Sequence, residues 1–385
     1  MLHTSYIELS KSAFSKNLRY LRNLIGPGTI FSSVIKGNAY GHGISHFLPL
    51  AEECGVRHFS VFSADEALYA ARSKMYEETE LMIMGMIDND EISWAVEQGI
   101  SFYVFDLDRL KQAIRASRAQ KKNARIHLEL ETGMHRTGFE SDDLKKAVKL
   151  IRDNADCLTI EGICTHYAGA ESISNYVRIK RQQRNFDKLV RWLRLQGIEG
   201  RYRHTACSAA ALTYRNTIMD KVRIGIAQYG FWPSRETYMT VQKNRGIFEE
   251  DPLDRVLSWK SKVMSIKTIG PGEYVNYDNL YLTSRTQQAA AIPVGYTHGF
   301  GRNLTNQGMV LIRGQRAPVM GVVNMNMFLV DVTDIEGVEK DDEVVIIGKQ
   351  GENEISVSSF SDMSNYLTYE TLTRIPAETP RFVVP

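Results

Sequence analysis

The chain lacks the marks of a secreted, membrane-bound or metal-binding protein. Its 385 residues include only four cysteines, Cys54, Cys157, Cys164 and Cys207, and none has the close paired spacing of a zinc site or a redox dithiol. Four cysteines in so long a chain do not make a disulfide scaffold, so they read as reduced thiols of a cytoplasmic protein, and no metal is expected. No apolar run approaches the ~20 residues that span a bilayer, and the N-terminal MLHTSYIELSKSAFSK lacks the basic-then-apolar order of a leader. Neither sign of charge dominates. Forty-seven Lys and Arg oppose 45 Asp and Glu, a net charge of +2, so no overall field favours nucleic acid or an anionic membrane. The partner this leaves is a small molecule.

What is present is ordinary soluble composition, 43% hydrophobic and 24% charged, in a chain long enough for two cores. Phe14, Leu18, Leu21 and Ile25 form a helical stripe ended by Gly26-Pro27-Gly28. Strand-like runs then follow at 29–35, 57–62, 80–84, 101–105, 125–130, 158–165, 202–206 and 222–226, and helical segments separate them. Eight strands with helical crossovers in roughly 230 residues predict a TIM (β/α)8 barrel rather than an open doubly wound sheet. From 255 to 350 the pattern changes to short alternating runs broken by turn clusters, which predicts a mainly-β C-terminal domain. The expected division is a barrel over 10–237 and a β domain over 238–385, with residues 1–9 pairing with the latter. The charged, weakly patterned residues 238–252 read as a linker.

Barrel active sites lie at the C-terminal ends of the strands, and polar residues there carry weight. Lys36 ends the first strand, Arg136 follows the fifth, His166 caps the sixth, Ser208 follows the seventh and Arg223 opens the eighth. Taken singly, each has a plain structural reading. Lys36 would be a solvated turn residue, His166 a core imidazole, Arg136 a loop anchor and Ser208 an N-cap. The helix over Val177–Leu195, with seven Lys or Arg, reads as a solvated face rather than a nucleic-acid site. Together they converge on one rim. A lysine there can form a Schiff base with a carbonyl compound, and Ser208 with the backbone of Gly225 offers donors to an anion. That combination points to pyridoxal phosphate (PLP).

VIKGNAYGHG, ETGMHRTGF, THYAGA, HTACSAAAL, DKVRIGIAQYG, PGEYVNYDNLY, IPVGYTHGF, VNMNMFLVDVT and LTYETLTRIPAETPR occur in that order. In them the chain resembles the alanine racemases over nearly its whole length. The resemblance implies that Lys36 carries PLP and acts as a base on one face of the substrate. Tyr40, Ser208, Gly225, Ile226 and Tyr369 would bind the phosphate, Arg223 would face the pyridine nitrogen, and His166 would lie against the cofactor. Inverting a stereocentre also needs a second acid/base on the opposite face. By resemblance this is Tyr277, supplied by the partner subunit of a homodimer, with His166 and Arg223 expected to stabilise its phenolate. The substrate carboxylate would meet Arg136 and the backbone amide of Met325, with Tyr296 nearby. The implied product, D-alanine, would supply peptidoglycan. A racemase for other amino acids, such as serine or lysine, is the alternative, and a non-catalytic PLP carrier is a further one.

The sequence departs from the family at four places. Glu129 stands where the family has a carbamylated lysine, and is expected either to orient Arg136 directly or to point elsewhere. Asn326 replaces an aspartate, Cys207 an asparagine, and His135 a glycine.

Overall fold

The computed structural model describes residues 3–245, 250–359 and 367–385. Strand β1 (Ser5–Ser10) leads into a helix over Lys11–Ile25, whose stripe of Phe14, Leu18, Leu21 and Ile25 is buried as its spacing predicts. Eight parallel strands follow: β2 (Ile30–Val34), β3 (His58–Val61), β4 (Glu80–Ile83), β5 (Ser101–Val104), β6 (Ala124–Glu129), β7 (Leu158–Cys164), β8 (Tyr202–His204) and β9 (Lys221–Ile224). Each pairs with the next from β2 to β8, and β9 returns to pair with β2. Between β8 and β9 a single bridge joins Cys207 to Arg223, with Arg223 N–H donating to Ala206 O at 3.0 Å. The ring is thus a nearly closed barrel, and its strands fall on the eight stretches marked in the sequence.

The barrel interior is unusually polar for this fold, which commonly fills with branched aliphatics. Side chains from different strands meet there, most of them from strands that are not neighbours. Lys221 on β9 donates to His58 Nε2 on β3 at 2.7 Å, and Arg125 on β6 reaches Glu80 on β4 at 3.1 Å and Glu161 on β7 at 2.8 Å. His127 on β6 contacts His204 on β8 at 2.9 Å. Burial pulls Lys221 down to about 8, against the opposing pull of Glu80 and Glu161.

The stretch expected as a linker departs from expectation. Residues Arg235–Arg245 form a helix, started by Ser234, whose Oγ accepts from Thr237 N–H at 3.0 Å. Its apolar face is too thin for periodicity to show it, and residues 246–249 lie outside the described residues.

The chain divides into two compact units that are not contiguous in sequence. One comprises Phe14–Lys36 and Leu48–Asp254, and the other Met1–Ala13, Gly37–Phe47 and Arg255–Pro385. In the second unit β1 pairs antiparallel with β10 (Leu257–Lys262) and parallel with the final strand. The remaining strands are β11 (Ser265–Ile269), β12 (Gln287–Ile292), β13 (Met309–Ile312), β14 (Gln315–Pro318), β15 (Phe328–Asp331), β16 (Glu343–Gln350), β17 (Asn353–Ile355) and β18 (Arg381–Val384). They form a seven-stranded sheet, with path β14-β13-β16-β10-β1-β18 and β17 on β16, and a three-stranded sheet β11-β12-β15. Phe300 stacks on Phe328 at 4.2 Å between ring centroids, and both are fully buried with Trp259 in this unit's core.

His58, His127 and His204 are each held well below the ordinary imidazole range, by burial first and then by neighbouring cations. Unfolded, they protonate near pH 6.5; folded, they do not. Their contribution is therefore complete above that pH and is lost as pH falls below it, by about 1.4 kcal/mol per pH unit for each ring. Urea midpoints at pH 7, 6 and 5 should fall steadily, and a flat series would contradict neutral, buried rings.

Candidate active site

Lys36 follows the end of β2, where Ile35 N–H donates to Ser60 O at 2.9 Å. The next residues turn left-handed: Gly37, Asn38, Ala39 and Tyr40 have φ of 62°, 51°, 54° and 52°. For the three that are not glycine this costs roughly 1–2 kcal/mol each, so the surroundings must enforce it. Several contacts do. Gly43 N–H donates to Asn38 O at 2.8 Å, and Asn38 Oδ1 accepts from Ile44 N–H at 2.9 Å. His42 Nδ1–H donates to Ala39 O at 2.9 Å and Tyr40 O at 3.0 Å. Burial pulls His42 down to about 3, so it stays neutral. Gly41 packs so closely that an added Cβ would lie 2.0 Å from Leu372 O, and Arg381 Nη2–H donates to Gly41 O at 2.9 Å. These contacts explain why Gly37–Phe47 groups with the C-terminal strands. They also set the Tyr40 and Tyr369 rings 6.0 Å apart.

Around the barrel rim, Arg136 acts on Lys36, and Arg223, Arg136 and Lys36 all act on His166. The Lys36 ammonium is pulled below its ordinary range by desolvation and then by Arg136. His166 is pulled down to about 3 by desolvation, then by Arg223, Arg136 and Lys36. It is therefore neutral at physiological pH and cannot supply the cationic field that the sequence suggested for a tyrosinate. Among the described residues, the Arg136 side chain makes no hydrogen bond or ion pair, and Lys36 Nζ makes no hydrogen bond.

Arg223 is buried, and four of its donor contacts are engaged. Nη1 reaches His204 Nδ1 and, at 2.9 Å, His204 O; Nη2 reaches Thr165 O at 2.9 Å and Thr205 O at 3.1 Å. An arginine has five N–H donors, which leaves Nε–H over. Ser208 opens the short helix Ser208–Thr213, and its Oγ accepts from Gly225 N–H at 2.9 Å, so the hydroxyl proton remains to be donated. Ile226 starts the 3-10 turn Ile226–Tyr229. Cys207 holds the N-cap position without a side-chain cap hydrogen bond.

Glu129 and Arg136 do not form an ion pair among the described residues, so the direct replacement raised from sequence is not made. Thr137 donates to Glu129, whose Oε2 is buried without a partner, and burial raises its carboxyl above the ordinary range despite Arg136 and Arg223. The residue that holds the Arg136 loop is instead Glu131. Its carboxylate accepts from the amides of Gly133, Met134 (2.8 Å) and His135 (2.8 Å). His135, with φ 58°, takes a left-handed turn there despite replacing a glycine. An acid two residues before a glycine was the available signal for Glu131. No comparable signal marks Arg381.

In the second unit, Tyr277 stands 68% exposed between left-handed Asn276 and Asp278. Asn324 Nδ2–H donates to Asn276 Oδ1 at 3.0 Å, Tyr296 N–H to Asn324 O at 3.1 Å, and Thr297 Oγ1–H to Met325 O at 2.8 Å. Asn326 Nδ2–H reaches Thr297 Oγ1 at 3.2 Å. Tyr277, Tyr296, Met325 and Asn326 are thereby tied into one exposed patch. Met325 N–H has no acceptor among the described residues.

Lys36 thus stands at the end of a strand of a parallel barrel, and the chain also forms a separate β unit. Residues 9–233 match the family model described as alanine racemase, N-terminal domain, and residues 256–383 the one described as alanine racemase, C-terminal domain. These matches define an amino-acid racemase, an isomerase. The alanine racemase of Leptospira interrogans is 32% identical over 99% of this chain and 96% of its own. Alanine racemase 1 of Caldanaerobacter subterraneus is 32% identical over 97% and 93%. The crystal structure of alanine racemase from Bacillus anthracis with bound L-Ala-P superposes with a TM-score of 0.89, at 28% identity over 100% of this chain and 96% of that one. That from Streptomyces lavendulae gives 0.90, also at 28%, over 100% and 98%. The chain belongs to the alanine racemase family.

Replacing Glu131 with Ala removes the acceptor for three amides. Hydrogen exchange at Gly133, Met134 and His135 should accelerate by at least ~10-fold as the loop opens locally, with little change in the barrel strands. Unchanged protection would show that the loop is held by other contacts.

Proposed function

We propose that this protein interconverts L- and D-alanine with pyridoxal phosphate, using Lys36 and Tyr277 as the two bases and pairing as a homodimer in which each site takes its tyrosine from the partner. The supporting observation is the set of groups left over once internal bonding is satisfied. Lys36 Nζ, Arg223 Nε–H, the Ser208 hydroxyl proton and Met325 N–H lack acceptors among the described residues. That set suits a carbonyl, a ring nitrogen, a phosphate and a carboxylate respectively. Tyr40, Tyr369, Gly225 and Ile226 would complete the phosphate cradle, with His166 against the ring.

When bound, pyridoxal phosphate supplies the electron sink that makes an amino acid's α-proton acidic. The chain's residues do the rest. Lys36, whose lowered pKa increases its neutral fraction, takes or returns the α-proton on one face. Tyr277 does so on the other. Arg136 and Met325 N–H hold the carboxylate, so that the α-carbon presents both faces along one line. Arg223, always protonated, only donates to the ring nitrogen and keeps it unprotonated. By withholding a proton from that nitrogen, Arg223 would favour quick reprotonation by Lys36 or Tyr277 over transamination. Glu129, near Arg136, and Asn326, next to Met325, would bear on substrate preference. His166 contributes contact rather than charge.

A tyrosine base 68% exposed needs cover. Tyr274, Leu280, Leu282 and Met325 are also more than half exposed, an apolar patch suited to a second copy. The four cysteines are free thiols, in keeping with a cytoplasmic enzyme feeding peptidoglycan synthesis. No helix among the described residues is long and apolar enough to cross a membrane.

In D2O, the α-hydrogen of either alanine enantiomer should wash out, and Lys36→Ala should slow this on the order of 10³-fold or more. The shared site is tested by co-expressing Lys36→Ala and Tyr277→Phe subunits with different tags. The purified mixed dimer holds one intact site of two and should recover about half the wild-type rate, while each parent homodimer stays impaired. A mixed dimer as impaired as its parents would rule out a tyrosine contributed across the interface.

A further inference from the structure

Two buried histidines, His204 and His127, have no part in the reaction proposed above, yet they lie end to end behind Arg223. The hydrogen atoms in this cluster can be placed by elimination. A guanidinium has donors only, so the contact from Arg223 Nη1 to His204 Nδ1 requires Nδ1 to be an acceptor. His204 carries its proton on Nε2, which lies 2.9 Å from His127 Nδ1. That nitrogen must accept in turn, and His127 carries its proton on Nε2. The sense of every bond follows from the one group that cannot reverse.

The fold builds this contact deliberately enough to exclude a side chain between the rings. His127 is on β6 and His204 on β8; β7 separates them, and the residue of β7 in register with His127 is Gly162. An added Cβ at Gly162 would lie 2.3 Å from His127 Nδ1 and 2.8 Å from His204 Nε2, in the line of the bond. The rings meet edge to face with centroids 4.9 Å apart, and Tyr103 on β5 flanks both at 5.9 and 6.0 Å.

We propose that His204 and His127 are positioning residues: a one-way donor chain from Arg223 through His204 to His127 locks both rings in the neutral Nε2–H form and fixes the guanidinium so that Nε–H alone points to the reaction. This rests on the reading in which Arg223 faces the cofactor's ring nitrogen. The cationic and imidazole groups around the chain are Arg223, Lys221, His58 and Arg125, each of which disfavours a second proton on His127; Tyr103 lies beside both rings, and Cys164, Cys207 and Glu129 act on Arg223. A protonated ring would present a donor to a donor and push Arg223 away. The chain therefore holds the arginine in one attitude across the working pH range. His127 Nε2 is buried and has no partner among the described residues, so the chain ends there.

The test uses holoenzyme labelled with ring-15N histidine, with the signals of His127 and His204 assigned among the nine histidines by substitution. Both should show the neutral Nε2–H pattern with no titration between pH 5 and 9. A ring in the Nδ1–H form, or one that titrates, overturns the proposal. His127→Leu removes the acceptor for His204. It should lower kcat on alanine about 10-fold or more with KM little changed, and shift the visible absorption of the bound cofactor. His127→Asn, whose amide oxygen can replace Nδ1, should restore most of both. Wild-type kcat and spectrum in His127→Leu overturn the positioning role while leaving the proposed function intact. Protein that neither carries nor binds pyridoxal phosphate overturns the proposed function, and this inference with it.

Discussion

A guanidinium has five donors and no way to dispose of its charge, so burying one dictates what must surround it. Arg223 is that residue here. Two backbone carbonyls at the end of β8, His204 and Thr205, one just past β7, Thr165, and one imidazole occupy its Nη donors. The carbonyls come from the C-terminal ends of adjacent strands. Satisfying the arginine therefore fixes the part of the rim where His166 and Ser208 also stand. A hydrophobic residue at 223 would leave carbonyls unpaired at the narrowest part of the barrel closure, where β8 and β9 share a single bridge.

The same requirement runs down the barrel. Where most barrels pack aliphatic layers, this one stacks Arg125 with Glu80 and Glu161, Lys221 with His58, and His127 with His204. Apart from Arg125 with Glu161 on the adjacent β7, these pairs link strands that are not adjacent, so polar contacts help to set the distances across the ring. Burial first, and then the positive charge that predominates at the upper rim, accounts for the neutral state of His166 and the lowered pKa of Lys36. On the proposed reading, one electrostatic condition both readies the amine to act as a base and suits an anionic cofactor and substrate.

Much of the fold was legible. Eight strand-like runs separated by helical stripes mark β2 to β9, because crossover helices must be amphipathic and most of the strands between them are largely apolar. The helix over Arg235–Arg245 was not legible, since it buries too few apolar residues to show a period. Lys36, Arg136, His166, Ser208 and Arg223 were legible as a group because strand ends are visible in sequence and a barrel places them on one rim. Glu131 and Arg381 escaped because they act on backbone: three amides in one case and Gly41 O in the other. A side chain bonded to main chain leaves no pairing signature in composition or spacing.

The sequence by itself determined the elements, their order, the type of chemistry available at each strand end and the family, since these depend on local periodicity and on motifs a few residues long. Tertiary structure decided the rest. Only the folded chain shows that Gly37–Phe47 packs with residues near the C-terminus, that Glu129 bonds Thr137 rather than Arg136, and that His166 is uncharged. Those facts depend on burial and on distances between residues remote in sequence, and protonation follows the field of all neighbours at once, which no single segment encodes.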